Sequence, residues 1–212
     1  MDTLVDEHPR NWLAPVPTTS IAPLVVAEPR KQGLPETLNA FRQWLLADAS
    51  VPGNVSGRVD AAGDHETGTI IVVDMPETGD RTSGALLSGE VGALFDRMLG
   101  AIGLARDKIY LIPFAPARPT SGRVGDADLA ALTPLLRHHL ALASPKRLLL
   151  LGDAPTQALL CLSAAQARET VHSVEIAGRT VQTIASIHPR LVNLKRDYRP
   201  LAWADLQRFA AL

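Results

Sequence analysis

The chain has 212 residues, 46% of them hydrophobic and 20% charged, which is typical of a folded protein with one sizeable core. Its formal net charge of -1 at pH 7 excludes a global electrostatic attraction to nucleic acid, so such binding needs a locally basic surface. The single cysteine, Cys161, excludes an intramolecular disulfide and any four-cysteine iron–sulfur site supplied by this chain alone. Because no apolar run is long enough to span a bilayer and the N-terminus does not resemble a signal peptide, we expect a cytoplasmic protein without membrane contact.

Residues 1–34 differ in composition from the rest of the chain. Prolines interrupt every apolar run there, which predicts an extended or disordered tail. Apolar residues such as Trp12 could anchor this tail on a protein partner or pack it on its own domain, and the sequence leaves both alternatives open. We predict one folded domain over residues 35–212.

The folded part begins with a predicted helix and a predicted loop. The spacing of Leu38, Phe41, Trp44 and Leu45 indicates an amphipathic helix between residues 35 and 48. Residues 49–68 are rich in Gly and Asp, which predicts a long mobile loop with a solvated His65.

The central stretch, residues 69–99, predicts a strand, a glycine-bearing loop and a helix. The apolar run Thr69–Val73 is typical of a strand buried on both faces, and Asp74 follows it directly. Ligands of open α/β sheets bind outside the carboxyl ends of the strands. Asp74 and its loop are therefore the first site hypothesis, although a lone Asp-x-Pro more often just caps a turn.

The remaining chain alternates strands and helices, which predicts a three-layer α/β/α domain with a four-stranded, mainly parallel sheet. Within a predicted helix that starts at Asp126, we interpret the adjacent His138 and His139 as surface residues. Cys161 lies in an apolar helical run, which favours a buried position. The further predicted segments are strands at 108–114 and 147–151, a hairpin at 172–187 and a helix at 199–211.

Four segments in the order of the chain resemble motifs of the uracil-DNA glycosylase superfamily. They are most similar to its family 4, or iron–sulfur, branch, whose motifs read roughly GEAPG followed by GxPFVGxAGxLLxxML, VYITNVVKCRPP, HPSxLL and AWxDL. This chain has VDMPE with GALLSGEVGALFDRML, IYLIPFAPARP, HPRLV and AWADL. The resemblance covers about residues 69–212 and implies that superfamily's fold.

The resemblance also implies a catalytic pair. A carboxylate at Asp74 would activate or hold the attacking water, and His188 would hydrogen-bond the leaving base. For His188 a structural role is an equal alternative. The implied base pocket comprises Met75, Pro76, Leu87 and Pro113, with Leu87 in place of the stacking aromatic ring and Pro113 in place of the base-reading asparagine.

Two further implications concern metal and DNA. The cluster cysteines of the family fall on Ala117 and Leu132, so we expect no cofactor and no metal. DNA is the implied partner, through a locally basic surface. Its candidate residues are Arg118, Arg123, Arg190, Lys195, Arg196 and Arg199.

Three functions stay open at this point. The first is a DNA glycosylase for uracil or another damaged base. The second is a pseudoenzyme that keeps a DNA surface but has lost the base pocket. The third is a protein-interaction module in replication or repair that works through its tail, as the fold analogy with the clamp-loader psi subunit suggests.

Overall fold

A computed structural model of the protein describes residues 33–212. Nearly all of the predicted tail, with Trp12, lies outside the described residues. Residues 31–212 form one unit of the chain. The predicted boundary at residues 34 and 35 and the predicted partner of the tail stay predictions.

The helices begin and end where caps and prolines direct them. Thr37 caps α1 (Leu38–Ala47) by accepting a hydrogen bond from the backbone N–H of Ala40. Ser163 and Gln166 form a capping box at the short helix Ala164–Ala167. In chain order the α-helices of the described residues are α1 (Leu38–Ala47), α2 (Asp80–Ser83), α3 (Gly89–Ala101), α4 (Asp126–Ala143), α5 (Asp153–Leu160), α6 (Ala164–Ala167), α7 (Pro189–Leu194) and α8 (Tyr198–Ala210).

Within residues 33–212 the strands form a six-stranded sheet with the order β1-β3-β2-β4-β6-β5. The four inner strands pair in parallel, and β1 and β5 pair antiparallel at the two edges. The predicted four strands match the parallel centre in number; edge strand β5 corresponds to the first strand of the predicted hairpin, and edge strand β1 is not predicted. The strands are β1 (Ala62–Gly63), β2 (Thr69–Val73), β3 (Tyr110–Pro113), β4 (Arg147–Leu151), β5 (His172–Ile176) and β6 (Arg179–Ser186).

Helices cover both faces of this sheet, which gives the predicted three-layer α/β/α architecture. Alternate residues of each strand point to opposite faces, so β2 contributes Ile70 and Val72 to one core and Ile71 and Val73 to the other. The first core includes residues of α4 and α5, and the second includes residues of α3 and α8. Strands β2, β3 and β4 are almost entirely buried, as the apolar runs in their sequences predict, whereas β6 exposes Arg179, Thr180 and Gln182 near its start.

Two predicted positions are wrong. His139 is buried, and its Nε2 lies 3.0 Å from the Tyr110 hydroxyl oxygen, because it shares the inward stripe of α4 with Leu132, Leu136 and Leu140. Cys161 is exposed, since α5 ends one residue earlier and Cys161 adopts a left-handed backbone conformation (φ 57°).

The predicted loop at residues 49–68 has more order than expected. It contains two short 3-10 helices, Val55–Gly57 and His65–Thr67, and strand β1. The buried guanidinium of Arg58 donates hydrogen bonds to four backbone carbonyls around it, those of Leu45, Asp48, Val51 and Gly53. Among the described residues, no helix combines the length and the apolar character that crossing a membrane requires.

Candidate active site

The parallel strands end level with one another, and this places the candidate site. Val73 of β2 is in register with Pro113 of β3 and with Leu151 of β4, and Leu151 is in register with Ser186 of β6. The residues that follow these positions therefore meet at one edge of the sheet.

Asp74 and His188 lie together at this edge, as the sequence predicts. Nε2 of His188 is 3.5 Å from Oδ1 of Asp74. Both atoms are buried and have no hydrogen-bond partner among the described residues. Two buried polar atoms that face each other without a close partner are unusual in a folded domain and indicate a place for a ligand or a water molecule.

The position of His188 in the chain fixes its imidazole. His188 is the N-cap of α7, and its Nδ1 accepts a hydrogen bond of 3.1 Å from the backbone N–H of Arg190. Burial, together with the nearby charges of Arg190 and Arg118, lowers the pKa of His188 to about 3, so the ring is neutral at physiological pH. With Nδ1 as the acceptor, the ring proton is assigned to Nε2, which points toward Asp74.

Asp74 is in an environment that weakens its charged form. Burial raises the pKa of Asp74 to about 7, although the nearby charge of Arg190 favours the carboxylate. The side chain packs against the backbone at Gly152, where β4 turns into α5. A carboxyl group with a pKa near the ambient pH is suited to accept a proton in a reaction.

Glu77 is a charged residue at this site that the sequence reasoning did not assign to it. Its Oε1 accepts a hydrogen bond of 2.8 Å from Nε of Arg190, and its Oε2 is 4.0 Å from Nη1 of Arg118. Nη2 of Arg190 also lies 3.7 Å from Oδ2 of Asp74. The sequence does carry a signal for this ion pair. The resembled motifs have glycine at the position of Glu77 and serine at that of Arg190, so this chain departs from them by one negative and one positive charge.

Asp80 is a second residue that the prediction missed, and it shapes the loop after β2. Its buried carboxylate accepts hydrogen bonds from the backbone N–H groups of Glu77, Leu87 and Ser88 and from the Ser88 hydroxyl. Both carboxylate oxygens are used within the loop itself, so this aspartate holds the loop in place rather than binding a ligand. Asp80 therefore positions Glu77 beside Asp74.

Two of the four predicted base-pocket residues, Met75 and Leu87, pack on opposite faces of the sheet. Met75 packs in the core on one face of the sheet and Leu87 in the core on the other, each with no more than 3% of its surface exposed. Pro113 lines a small cavity between α1 and α4, together with His139. Pro76 is buried, and its carbonyl accepts a hydrogen bond of 3.2 Å from Arg118.

The predicted DNA-binding residues divide into two groups. Arg118 and Arg190 are half-buried and contact Glu77. The others are exposed: Arg123, Lys195, Arg196 and Arg199. The last three belong to an exposed basic segment, residues 194–199, whose Leu194 is 72% exposed.

The described residues do not fit an iron–sulfur cluster. Ala117 and Leu132, at the positions of the cluster cysteines, are both buried apolar side chains. The single thiol of the sequence, Cys161, is exposed at the end of α5. Among residues 33–212, no group of three or more His, Cys, Asp or Glu side chains is placed to hold a metal ion.

Comparison with known sequences agrees with this fold. The profile of the Uracil DNA glycosylase superfamily matches residues 61–207, so the chain belongs to that superfamily. It is 25% identical over 158 residues to a type-4 uracil-DNA glycosylase of Pyrobaculum aerophilum, covering 71% of this chain and 81% of the relative. It is 24% identical over 161 residues to the type-4 uracil-DNA glycosylase of Archaeoglobus fulgidus, covering 73% and 81%.

Proposed function

We propose that this protein binds DNA and hydrolyses the N-glycosidic bond of a damaged base, with Asp74 and His188 as the catalytic pair. The observation that carries the proposal is the facing of two buried atoms without hydrogen-bond partners in the described part, Oδ1 of Asp74 and Nε2 of His188, 3.5 Å apart. Membership of the superfamily and the names of the two type-4 relatives support the reaction class.

The chemistry follows from the states of the two side chains. When the bond between C1′ of the sugar and the base nitrogen breaks, its electron pair leaves with the base and the sugar becomes oxocarbenium-like. The neutral His188 donates a hydrogen bond from Nε2–H to the negative charge on the leaving base. A water molecule attacks C1′, and the Asp74 carboxylate accepts its proton and stabilises the positive sugar.

The site should discriminate poorly among bases. Pro113 offers neither a side-chain hydrogen bond nor an N–H, and Leu87 is buried in the core rather than presented for stacking. A site that lacks paired hydrogen bonds to the substrate loses orders of magnitude in selectivity. We therefore expect slow release of uracil and little discrimination among damaged bases.

One assay tests the proposal. Single- and double-stranded oligonucleotides that carry uracil, hypoxanthine or an abasic site are incubated with the protein, and binding and base release are measured together. Binding should weaken with salt. Asp74→Asn and His188→Ala should each lower base release by at least about tenfold, since each removes an electrostatic contribution to the transition state. Release that neither substitution affects would show that the reaction occurs elsewhere.

A second candidate is a catalytically inactive module that binds a protein in replication or repair. The observation in its favour is closure of the site: His188 is 1% exposed, and two of the predicted pocket residues, Met75 and Leu87, pack in cores on opposite faces of the sheet. Binding without release from any of the oligonucleotides would favour a pseudoenzyme. If no oligonucleotide binds either, the interaction module becomes the better explanation.

A further inference from the structure

Glu77 holds two arginines that come from different parts of the chain. Arg118 follows β3, Arg190 belongs to α7, and Glu77 lies in the loop after β2. The Glu77 side chain is 12% exposed, and its carboxylate makes its close contact, 2.8 Å, with Nε of Arg190. We call Arg118 and Arg190 the arginine pair.

The ion pair covers the catalytic histidine. Oε1 of Glu77, which accepts from Arg190, is also 3.9 Å from Nδ1 of His188. On the other side of the ring, Nε2 of His188 faces Asp74. With Glu77 and Arg190 joined, the His188 side chain is only 2% exposed. Glu77 therefore borders the Nδ1 edge of the buried ring, and Asp74 borders its Nε2.

The arginine pair has more donors than Glu77 satisfies. Nη2 of Arg190 is buried and has no hydrogen-bond partner within the described residues. The only contact of Arg118 with the Glu77 carboxylate is at 4.0 Å, longer than a hydrogen bond. Two guanidinium groups directed at one carboxylate resemble the way proteins bind phosphate, where each guanidinium donates to a pair of oxygens.

We propose that the arginine pair is a binding site for a phosphodiester group, that Glu77 occupies it in the closed protein, and that DNA displaces Glu77 and thereby uncovers His188. This rests on the proposed function, since it assigns DNA phosphate as the ligand of the same site. A phosphodiester group carries one negative charge on two non-bridging oxygens, as the Glu77 carboxylate does, so it can take the place of Glu77 between the two guanidinium groups. The free energy of DNA binding then drives the displacement of Glu77. Without DNA, the ion pair between Glu77 and Arg190 keeps the site closed.

Opposite effects of two substitutions on the same ion pair test the proposal. Glu77→Gln removes the internal competitor, so pyrophosphate should bind about tenfold more tightly than to the wild type, as measured by titration calorimetry. Arg190→Gln removes half of the site and should weaken pyrophosphate binding by at least about tenfold. The backbone N–H of Arg190, not its side chain, donates to Nδ1 of His188, so this variant keeps the tautomer. A short single-stranded oligonucleotide should follow the same order.

Accessibility of His188 gives a readout that does not need DNA. Diethyl pyrocarbonate modification, followed by peptide mass spectrometry, should be at least about fivefold faster at His188 in both variants than in the wild type, because both break the cover. His65, whose side chain is 38% exposed, is the reference within each sample. Glu90→Gln is the matched charge control, because Glu90 is exposed and makes no ion pair among the described residues.

The outcomes separate this inference from the proposed function. Equal pyrophosphate affinity in Glu77→Gln and Glu90→Gln, or unchanged His188 reactivity in folded variants, would overturn the internal competitor even if the protein binds DNA. Tighter pyrophosphate binding and a reactive His188 without oligonucleotide binding would support the arginine pair as a binding site for phosphate groups and contradict DNA as its ligand. Thermal melting of each variant confirms that it is folded.

Discussion

A Cβ atom at position 152 would lie 2.3 Å from Oδ1 of Asp74, closer than any real contact, so the Asp74 carboxylate occupies space that only glycine leaves free. Gly152 has φ 106° and ψ -179°, a conformation that glycine alone adopts readily. It also connects β4 to α5, and its N–H donates to the carbonyl of Ser186 in β6. One residue therefore joins the sheet, a helix and the Asp74 carboxylate.

Gly152→Ala should destabilise the protein and displace Asp74. The clash and the unfavourable φ together should lower the free energy of unfolding by about 3 kcal/mol, measured by urea denaturation. Gly178→Ala is the control, because Gly178 also has positive φ (78°) but has no atom within 4 Å of its virtual Cβ. If both variants lose the same stability, contact with Asp74 contributes nothing.

The pH dependence of stability should reveal the buried state of Asp74. Its pKa is about 7 in the folded protein and near 3.8 when unfolded. Between these values the folded protein binds the extra proton, so the contribution of Asp74 to stability is lost as pH rises. Asp74→Asn should therefore gain stability relative to the wild type from pH 4 to pH 7, by at most about 4 kcal/mol.

His188 supplies a control of opposite sign. Its folded pKa of about 3 lies below the ordinary value of 6.5, so the unfolded chain binds the extra proton between these values and the wild type becomes more stable as pH rises. The free energy of unfolding of His188→Gln should lack this rise. Relative to the wild type, the variant should therefore be most stable near pH 4. Urea denaturation at pH 4, 5.5 and 7 measures both variants, and parallel curves for the two would contradict the assigned pKa values.

His139 should be a structural residue. Burial lowers the pKa of His139 to about 3, and its hydrogen bond to Tyr110 joins α4 to β3. His139→Ala should cost about 3 kcal/mol of unfolding free energy, since it leaves a cavity and a buried hydroxyl without its partner. His65→Ala, at a partly exposed position, should cost less than about 0.5 kcal/mol in the same denaturation experiment.

Asp205 should be the most sensitive charge in the fold. It is fully buried and accepts hydrogen bonds from Arg168, Arg208 and Ser186. Asp205→Asn should lower the free energy of unfolding by about 3 kcal/mol, because the buried guanidinium of Arg168 loses its counter-ion. Glu169→Gln removes an exposed partner of the same arginine and should have a small effect, which thermal melting would show.

The parallel centre of the fold could be predicted because each inner strand carries its own signal. Thr69–Val73 and Arg147–Leu151 are short apolar runs that suit burial on both faces. Strand β1 has two residues, Ala62 and Gly63, and no pattern of its own, since its place depends on pairing with β3. Strand β5 was predicted within its hairpin, but its membership of the same sheet depends on contacts distant in sequence.

The candidate site likewise contains residues that the local sequence predicts and one that depends on contacts distant in sequence. Asp74 and His188 could be predicted because each follows a strand and matches a motif. Glu77 could not be assigned from local sequence, since its partner Arg190 is 113 residues away. His139 could have been placed correctly, because its spacing from Leu132, Leu136 and Ala143 puts it on the inward stripe of α4. Adjacent histidines on a helix point in different directions, which excludes a shared metal ion but does not place both residues at the surface.

The backbone hydrogen bond from Arg190 to Nδ1 of His188 makes the imidazole part of the first turn of α7. Five residues later the same chain direction leads into the exposed basic segment at residues 194–199. The His188 ring and the basic segment therefore lie at the two ends of one helix of six residues, so a shift of this helix would move both. A partner that shifts α7 would re-aim Nε2–H of His188 without contacting it.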